Sequence, residues 1–281
     1  MISIVIPAYN EDNAISAVID NITAVMNRVS EKHEIIVVDD GSEDKTADIV
    51  RKKKAVLIQH PYNKGYGASL KTGIKNARGE WILITDADGT YHANEIPKLL
   101  AHRNQYDMIV GARTGKGAKI QFYRKPAKWF LTKLANYLSG RRIEDLNSGM
   151  RLFRKGEMER FFDILPSGFS FTTTSTLAYL SSDYNVKYVE IDYHQRKGRS
   201  KISPIRDGLN FIMLIIRTIT YFNPLKIFLP IALVLFFSGF LALLYQTIFF
   251  QDISQAPVLL LLTSFQIGFL GLLADMVARR R

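Results

Sequence analysis

Several signatures of common protein classes are absent from this 281-residue sequence. It has no cysteine, which excludes a disulfide scaffold. No Gly-x-Gly-x-x-Gly segment follows the first apolar run and no Gly-x-x-x-x-Gly-Lys-Ser/Thr segment occurs, so neither a dinucleotide-binding dehydrogenase nor a P-loop ATPase is favoured. The five histidines are dispersed and lack zinc-ligand spacing. The basic residues form no nucleic-acid-binding motif, so no nucleic-acid partner is expected.

Charge is missing from two long segments near the end of the chain. Residues Ile227–Gln251 and Ile253–Ala274 contain no charged side chain, and only Asp252 separates them. Each run reaches the roughly 20 residues that a helix needs to cross a bilayer. Three regions are therefore predicted: a globular domain over 1–202, a juxtamembrane segment over 203–224, and a membrane hairpin over 225–281 with helices at about 227–250 and 256–276.

The flanks of the two apolar runs predict their orientation. Arg206, Arg217 and Lys226 precede the first run and Arg279–Arg281 follow the second, while the connection 251–255 has no lysine or arginine. Basic flanks favour the cytoplasmic side of a membrane. We therefore expect a multi-pass protein of the cell membrane, with the globular domain and both termini in the cytoplasm.

The juxtamembrane segment has the pattern of a helix that lies on a membrane surface. Its apolar residues fall on one helical face directly before the first charge-free run: Ile205, Leu209, Ile212, Met213, Ile216 and Ile219. An amphipathic helix of this kind buries its apolar face at the boundary between head groups and acyl chains. We expect an interfacial helix here.

Residues 1–224 are basic, with 33 lysines and arginines against 24 acidic residues and a net charge of +9. A basic domain beside a membrane suits anionic partners, such as lipid phosphates or a nucleotide. The positive-inside rule alone explains part of this excess.

Short β-branched runs alternate with helical patterns over the first 110 residues. The start, Met1–Pro7, lacks the basic region and apolar length of a secretory signal and fits a buried strand instead. Such alternation predicts an α/β fold, with a mostly parallel sheet covered on both faces. The predicted segments are Ile2–Ile6, Asn13–Val29, Glu34–Val38, Asp44–Lys53, Ala55–Gln59, Gly67–Ala77, Trp81–Thr85, Asn94–His102 and Met108–Val110.

Polar residues follow these predicted strands, where a parallel sheet binds its ligands. Asp86 and Asp88 come directly after the apolar run Trp81–Thr85. Two carboxylates at this spacing suit a hard divalent cation that takes its other ligands from water and diphosphate oxygens. Asp also commonly ends a strand and begins a turn, so the pair alone is a weak signal.

Together with Pro7–Glu11 and Asp39–Ser42, the acidic pair resembles glycosyltransferase family 2, whose catalytic domain has the GT-A fold, a Rossmann-like nucleotide-diphospho-sugar transferase domain. The similarity extends through Asp145–Phe153, Gly168-Phe169 and Arg196–Lys201. This combination resembles the polyprenyl-phosphate glycosyltransferases, which include dolichyl-phosphate mannose synthases and undecaprenyl-phosphate glucosyltransferases.

The resemblance implies a role for each matching residue. Asp88 and Asp145 would be catalytic, with Asp145 orienting the acceptor or merely capping a turn. Asp86 and Asp88 would bind Mg²⁺ or Mn²⁺. The nucleotide would be held by Pro7, Tyr9, Glu11, Val38, Asp40, Asp86 and Ala87, with Asp39 supporting the loop. The acceptor and donor phosphates would be bound by Arg113, Arg124, Arg196 and Lys201.

One departure concerns the basic loop. Some relatives place an arginine three residues before its glycine, where this chain has Gln195, and Arg196 follows one position later. The role implied for Arg196 is therefore less secure than that of Lys201. The alternative for all four basic residues is a solvated positive face near anionic lipid.

The function implied is inverting transfer of a single hexose from a nucleotide sugar of the GDP-mannose or UDP-glucose type to polyprenyl phosphate at the cytoplasmic leaflet. A phosphate acceptor is largely ionised at neutral pH and needs no strong general base. Two alternatives stay open: another lipid or polysaccharide acceptor, and a non-catalytic membrane adaptor. Gln121–Lys125 imitates only part of the Gln-x-x-Arg-Trp motif of polysaccharide synthases. A homo-oligomer formed through the hairpin is possible.

Overall fold

The computed structural model describes residues 1–114, 133–137, 140–168, 170–193, 204–249 and 254–279. The sheet comprises β1 (Ile2–Ala8), β2 (His33–Asp39), β3 (Val56–Gln59), β4 (Trp81–Ile84), β5 (Met108–Ala112), β6 (Arg151–Arg154) and β7 (Val186–Glu190). The helices are α1 (Ile15–Val29), α2 (Thr46–Arg51), α3 (Tyr66–Asn76), α4 (Ile96–Leu100), α5 (Lys155–Glu159), α6 (Phe171–Ser181), α7 (Pro204–Phe222), α8 (Leu225–Phe249) and α9 (Gln255–Ala278), with a 3-10 turn at Ala93–Glu95.

The predicted strand and helix pattern of the first 110 residues is confirmed, with ends that differ by no more than two residues. The strands lie in the order β3-β2-β1-β4-β6-β5-β7. All pairs are parallel except those of β6, which runs antiparallel to both β4 and β5. The expectation of a mostly parallel sheet is therefore correct.

Each face of the sheet is covered by helices because the central strands are apolar on both sides. Along β1, Ile4 and Ile6 pack with α1 and α4 on one face, whereas Val5 packs with α3 and α6 on the other. A third apolar cluster joins α6 to α7, where Ile215 and Ile219 are fully buried. These layers bury both faces of the sheet, so the loops at its edges start from packed strand ends.

The five strands β1 to β5 end at one edge of the sheet. Because β6 runs in the opposite direction, its first residue, Arg151, lies at this edge too and pairs with Ile84 and Val110. The polar segments that follow β1, β2, β4 and β5 therefore meet the turn that enters β6. This common edge is where a ligand site is expected in an open α/β sheet.

Helices α8 and α9 are long and apolar enough to cross a membrane. They overlap the two predicted spans and pack against each other through small residues. A Cβ added at Gly239 would lie 3.0 Å from Leu260, and one added at Gly271 would lie 2.6 Å from Phe228. Their other sides expose large apolar residues, including Phe237, Leu241 and Phe269. Such surfaces suit a lipid environment.

Candidate active site

Two loops that follow neighbouring strands are tied together at the carboxyl edge. The N–H of Asn10 donates to Oγ of Ser42 (3.0 Å), and the N–H of Glu11 donates to Oγ1 of Thr46 (2.9 Å). Asn10 has φ of 56°, a left-handed conformation that asparagine tolerates better than most residues. Beside these linked loops Tyr9 is 42% exposed.

The predicted nucleotide residues on β1 and β2 fall into two groups. Pro7 and Val38 are buried and paired across the strands, so they shape the floor below the loops. Tyr9 is exposed and Glu11 is half-buried, both in the loop that follows β1. An exposed aromatic ring over a buried floor is suited to stacking a base.

Asp39 and Asp40 are buried, and contacts within the protein engage both carboxylates. Asp39 accepts hydrogen bonds from the N–H of Ser42 and from Nε2 of Gln59, both at 3.1 Å. Asp40 accepts from the N–H of Lys64 (3.0 Å) and the N–H of Gly65 (2.8 Å). Its Oδ1 also lies 2.6 Å from Nδ1 of the buried His60. Asp40 therefore fixes the loop between β3 and α3 in the same way that Asp39 fixes its own turn.

The predicted metal pair follows β4 after one intervening residue, Thr85, with Ala87 buried between the two carboxylates. Oδ1 of Asp86 accepts a hydrogen bond from the hydroxyl of Tyr66 (2.9 Å). Oδ1 of Asp88 accepts from the N–H (3.1 Å) and the Oγ1 (2.6 Å) of Thr90, which orients it as a turn begins. Burial and the Asp86 charge raise the pKa of Tyr66 well above its usual value, so its hydroxyl stays protonated.

No group of three or more His, Cys, Asp or Glu side chains is arranged for a metal within the described part of the chain. Asp86 and Asp88 supply two hard oxygen ligands, which fit a Mg²⁺ or Mn²⁺ ion only if a diphosphate and water supply the others. The donor set thus suits a metal that arrives with its nucleotide.

Gly149 connects the metal pair to the turn before β6. A Cβ added at Gly149 would lie 2.6 Å from Oδ2 of Asp86, so only glycine lets the turn approach this carboxylate. The N–H of Gly149 donates to the hydroxyl of Tyr91 (2.6 Å). Burial and the neighbouring Asp86 charge raise the pKa of Tyr91, which keeps this hydroxyl protonated as well.

Arg113 and Asp145 form an ion pair at the same edge. Nε of Arg113 donates to Oδ2 of Asp145 (2.8 Å) and Nη2 donates to Oδ1 (2.9 Å). The N–H of Arg113 also donates to Oδ2 (3.0 Å), and the guanidinium lies 5.4 Å from the ring centre of Tyr193. The Asp145 carboxylate raises the pKa of Arg113 despite its burial, and the arginine holds the pKa of Asp145 below its usual value.

Of the predicted phosphate-binding residues, only Arg113 can therefore be placed. Arg124, Arg196 and Lys201 lie outside the described residues.

The sequence pattern assigns no role to Arg151, which the structure buries completely beneath the same turn. One feature of the sequence could have indicated its burial: Arg151 directly precedes the apolar pair Leu152-Phe153, where a solvated charge is not expected.

A seven-stranded α/β sheet with a carboxylate pair at its carboxyl edge, followed by an apolar helical hairpin, is the arrangement expected of a glycosyltransferase of the GT-A class with a candidate membrane anchor. Residues 3–162 match the family described as Glycosyl transferase family 2, and residues 223–279 match the GtrB C-terminal hairpin. The chain belongs to glycosyltransferase family 2, and the predicted family and enzyme class are confirmed.

Two of the similar proteins are named for polyprenyl-phosphate substrates. A dolichyl-phosphate hexose transferase of Haloferax volcanii is 30% identical over 74% of this chain and 89% of its own length. A dodecaprenyl-phosphate galacturonate synthase of Rhizobium johnstonii is 27% identical over 99% of this chain and 88% of its own. A low-salt glycan biosynthesis hexosyltransferase of Haloferax volcanii is 30% identical, and the matching region spans only 51% of that protein.

Solved structures share the fold. Glucosyl-3-phosphoglycerate synthase from Mycobacterium tuberculosis, in complex with Mn²⁺, uridine diphosphate and phosphoglyceric acid, superimposes with a TM-score of 0.60 at 18% identity, over 78% of each chain. Mannosyl-3-phosphoglycerate synthase from Rubrobacter xylanophilus gives 0.58 at 20% identity, over 78% of this chain and 73% of its own. The predicted GT-A fold is confirmed.

Proposed function

We propose that this protein transfers a single hexose, with inversion, from a nucleotide sugar of the GDP-mannose or UDP-glucose type to polyprenyl phosphate at the cytoplasmic leaflet. The observation that carries the proposal is the contact between Gly149 and Asp86, which joins the predicted metal pair to the turn that holds Asp145 and its partner Arg113. The relatives named for dolichyl-phosphate and dodecaprenyl-phosphate substrates support the acceptor class.

On the donor side, Tyr9 and Glu11 would contact the base and ribose, above the buried Pro7 and Val38. Asp39, Asp40 and Ala87 would hold the loops that shape this part of the cleft. Asp86 and Asp88 would hold Mg²⁺ or Mn²⁺. A bound metal ion offsets the negative charge that develops on the departing nucleoside diphosphate. The solved relatives with Mn²⁺ or Mg²⁺ support this cofactor class.

On the acceptor side, the Arg113–Asp145 pair suits orientation of an anion better than proton abstraction. A carboxylate whose pKa lies below its usual range is a weak base. A phosphate monoester is already largely ionised at neutral pH, so a weak base suffices. Nε and Nη2 of Arg113 bond to Asp145, so Arg113 would present its third guanidinium nitrogen, Nη1, to the acceptor phosphate. Arg124, Arg196 and Lys201 would be further phosphate ligands.

The membrane arrangement follows from the hairpin. Helices α8 and α9 would cross the cell membrane, with both termini in the cytoplasm because arginine and lysine flank their outer ends. Helix α7 would lie at the interface with Met213, which is 65% exposed, toward the lipid. Ile219, predicted on the same membrane-facing side, is instead buried with Ile215 against the globular domain and holds the helix there.

The test is a screen of nucleotide sugars against short polyprenyl phosphates, with product masses measured in the presence of Mn²⁺ or Mg²⁺. We expect one donor to yield a product larger than the acceptor by a single hexose, and Asp88→Ala to abolish it without unfolding the protein. Repeated addition would favour a polysaccharide product. Absence of both turnover and Mn²⁺-dependent nucleotide binding would favour a non-catalytic adaptor.

A further inference from the structure

Arg151 occupies the first position of β6, an inner strand of the sheet, and has no exposed surface. Its guanidinium is enclosed by oxygen atoms of two elements. Nε donates to the carbonyl of Ser148 (2.8 Å) and Nη2 to the carbonyl of Leu146 (2.9 Å). Nη1 donates to the carbonyl of Thr172 (2.7 Å) and to Oγ1 of Thr176 (2.6 Å). The first two carbonyls belong to the turn before β6, and the last two oxygens belong to α6.

All four of these acceptors are neutral, and so is Oγ of Ser175, a fifth acceptor that lies in α6 at 3.3 Å from Nη1. Burial without a paired carboxylate is costly for a cation and lowers the pKa of Arg151, although an arginine stays protonated in a protein. An apolar side chain would pack at this position at lower cost. The reason for a guanidinium at this position therefore lies in its directed hydrogen bonds.

Those bonds define the turn that follows Asp145. Leu146 and Ser148 lie on either side of Asn147, whose N–H donates to Oδ1 of Asp145 (3.1 Å). The hydroxyl of Thr173 donates to the side chain of Asn147, so α6 holds this turn at a second point. Arg151 thus fixes the turn 145–148 to α6. The first residue of that turn, Asp145, pairs with Arg113.

We propose that Arg151 is a positioning residue for the acceptor side of the site: it keeps the turn 145–148 in the one conformation in which Asp145 engages Arg113. The inference rests on the proposed function for its catalytic consequence, but the conformational claim stands on the contacts alone. A role limited to core packing would affect the stability of the whole domain and leave this turn no more mobile than the rest.

Helix α6 offers a matched pair of variants. Thr176 and Thr174 are both buried, and the hydroxyl of each donates to the carbonyl four residues earlier, Thr172 (2.9 Å) and Ser170 (3.0 Å). Thr176 also accepts from Arg151, whereas the hydroxyl of Thr174 lies in no bond to it among the described contacts. Thr176→Val and Thr174→Val therefore lose the same helical bond through the same replacement of a hydroxyl by a methyl group, and differ in the bond to Arg151.

The first measurement is hydrogen exchange of the amides of residues 146–149 in the full-length protein. We expect Arg151→Lys and Thr176→Val to increase their exchange rate about tenfold relative to wild type, because each weakens the anchorage by a charged hydrogen bond. Thr174→Val should leave it unchanged. Equal exchange in Thr176→Val and Thr174→Val would overturn the proposal, even if Arg151→Lys failed to fold.

The second measurement separates positioning from packing in the transfer reaction. Arg151→Lys should raise KM for the polyprenyl phosphate about tenfold and leave KM for the nucleotide sugar within twofold. In an Asp145→Asn background the same change should have no further effect on acceptor KM, since Arg151 acts through Asp145. Additive effects, or equal changes in both KM values, would refute positioning. A wild-type enzyme that transfers nothing to polyprenyl phosphate would instead contradict the proposed function, and the exchange result would still decide the role of Arg151.

Discussion

Arg113 and Asp145 hold each other through two parallel hydrogen bonds, of 2.8 and 2.9 Å, at the carboxyl edge of the sheet. The carboxylate also accepts the backbone N–H of Arg113, so it fixes both the direction of the chain that leaves β5 and the plane of the guanidinium. Because Asp145 is 5% exposed, the two charges attract each other with little screening by water. The pair is therefore a single unit with a defined orientation.

Asp145→Asn should reduce transfer roughly 100-fold, because it leaves the guanidinium of Arg113 without a countercharge in a largely buried place. Arg113→Lys should have a comparable effect, since an ammonium cannot reproduce the two-point contact. The measurement is kcat/KM with a polyprenyl phosphate acceptor. Arg154→Lys is the control, because the Arg154–Glu80 pair is exposed and contributes little. Activity retained in Asp145→Asn would show that the pair has no role in the reaction.

The pH dependence of stability should identify Asp145. Its pKa is lowered in the folded protein, so the stabilisation it provides is complete above the unfolded value of about 3.9 and is lost as pH falls through the lower folded value. The difference in Tm between wild type and Asp145→Asn should therefore be constant between about pH 5 and 6. It should become smaller below about pH 4. A constant difference down to roughly pH 3 would contradict the lowered pKa.

Gly149→Ala should abolish most transfer, because the new methyl group would lie 2.6 Å from Oδ2 of Asp86 and force the turn or the carboxylate to move. Binding of Mn²⁺ together with a nucleoside diphosphate, measured by calorimetry, should weaken in parallel. Gly156→Ala is the control, since a Cβ at Gly156 meets nothing within 4 Å. Normal metal affinity in Gly149→Ala would show that Asp86 is not a metal ligand.

Tyr66→Phe removes only the hydroxyl that donates to Asp86. We expect Mn²⁺ affinity in the presence of a nucleoside diphosphate to fall about tenfold, because hydrogen bonds to a ligating carboxylate fix its orientation. Tyr62→Phe provides the comparison, since Tyr62 is 66% exposed and Nζ of Lys64 lies over its ring, 5.5 Å from the ring centre. Unchanged affinity in Tyr66→Phe would mean that Asp86 keeps its orientation without this bond.

The donor side of the sheet was largely predictable from sequence. Strands β1 to β5 are short apolar runs that alternate with amphipathic helices, and parallel connections of this kind allow few topologies. Their carboxyl ends must share an edge, so Tyr9 and Asp86 could be assigned to one cleft. The hairpin was predictable because charge-free runs of about 20 residues are typical of helices that cross a membrane.

The acceptor side was harder to predict. Strand β6 has only Leu152 and Phe153 between two arginines, so its pattern does not indicate a central strand. The pairing of Arg113 with Asp145 joins residues 32 positions apart, and it depends on the reversed direction of β6. The internal contacts of Asp40 were also hidden, because sequence spacing does not distinguish a carboxylate that binds ligand from one that binds backbone N–H groups.

The reversed strand also has a consequence for the order of folding. Strands β1 to β4 pair among themselves within the first 84 residues, whereas β5 pairs with β6 and β7, both of which follow it by some 40 residues or more. During synthesis, strands β1 to β4 can therefore form a sheet before β6 and β7, the partners of β5, have been made. Closing the sheet requires β6 to enter between β4 and β5, which makes this non-local step a candidate for the slowest one. Substitutions in β6 should then delay maturation of the whole enzyme more than equally buried substitutions in β2.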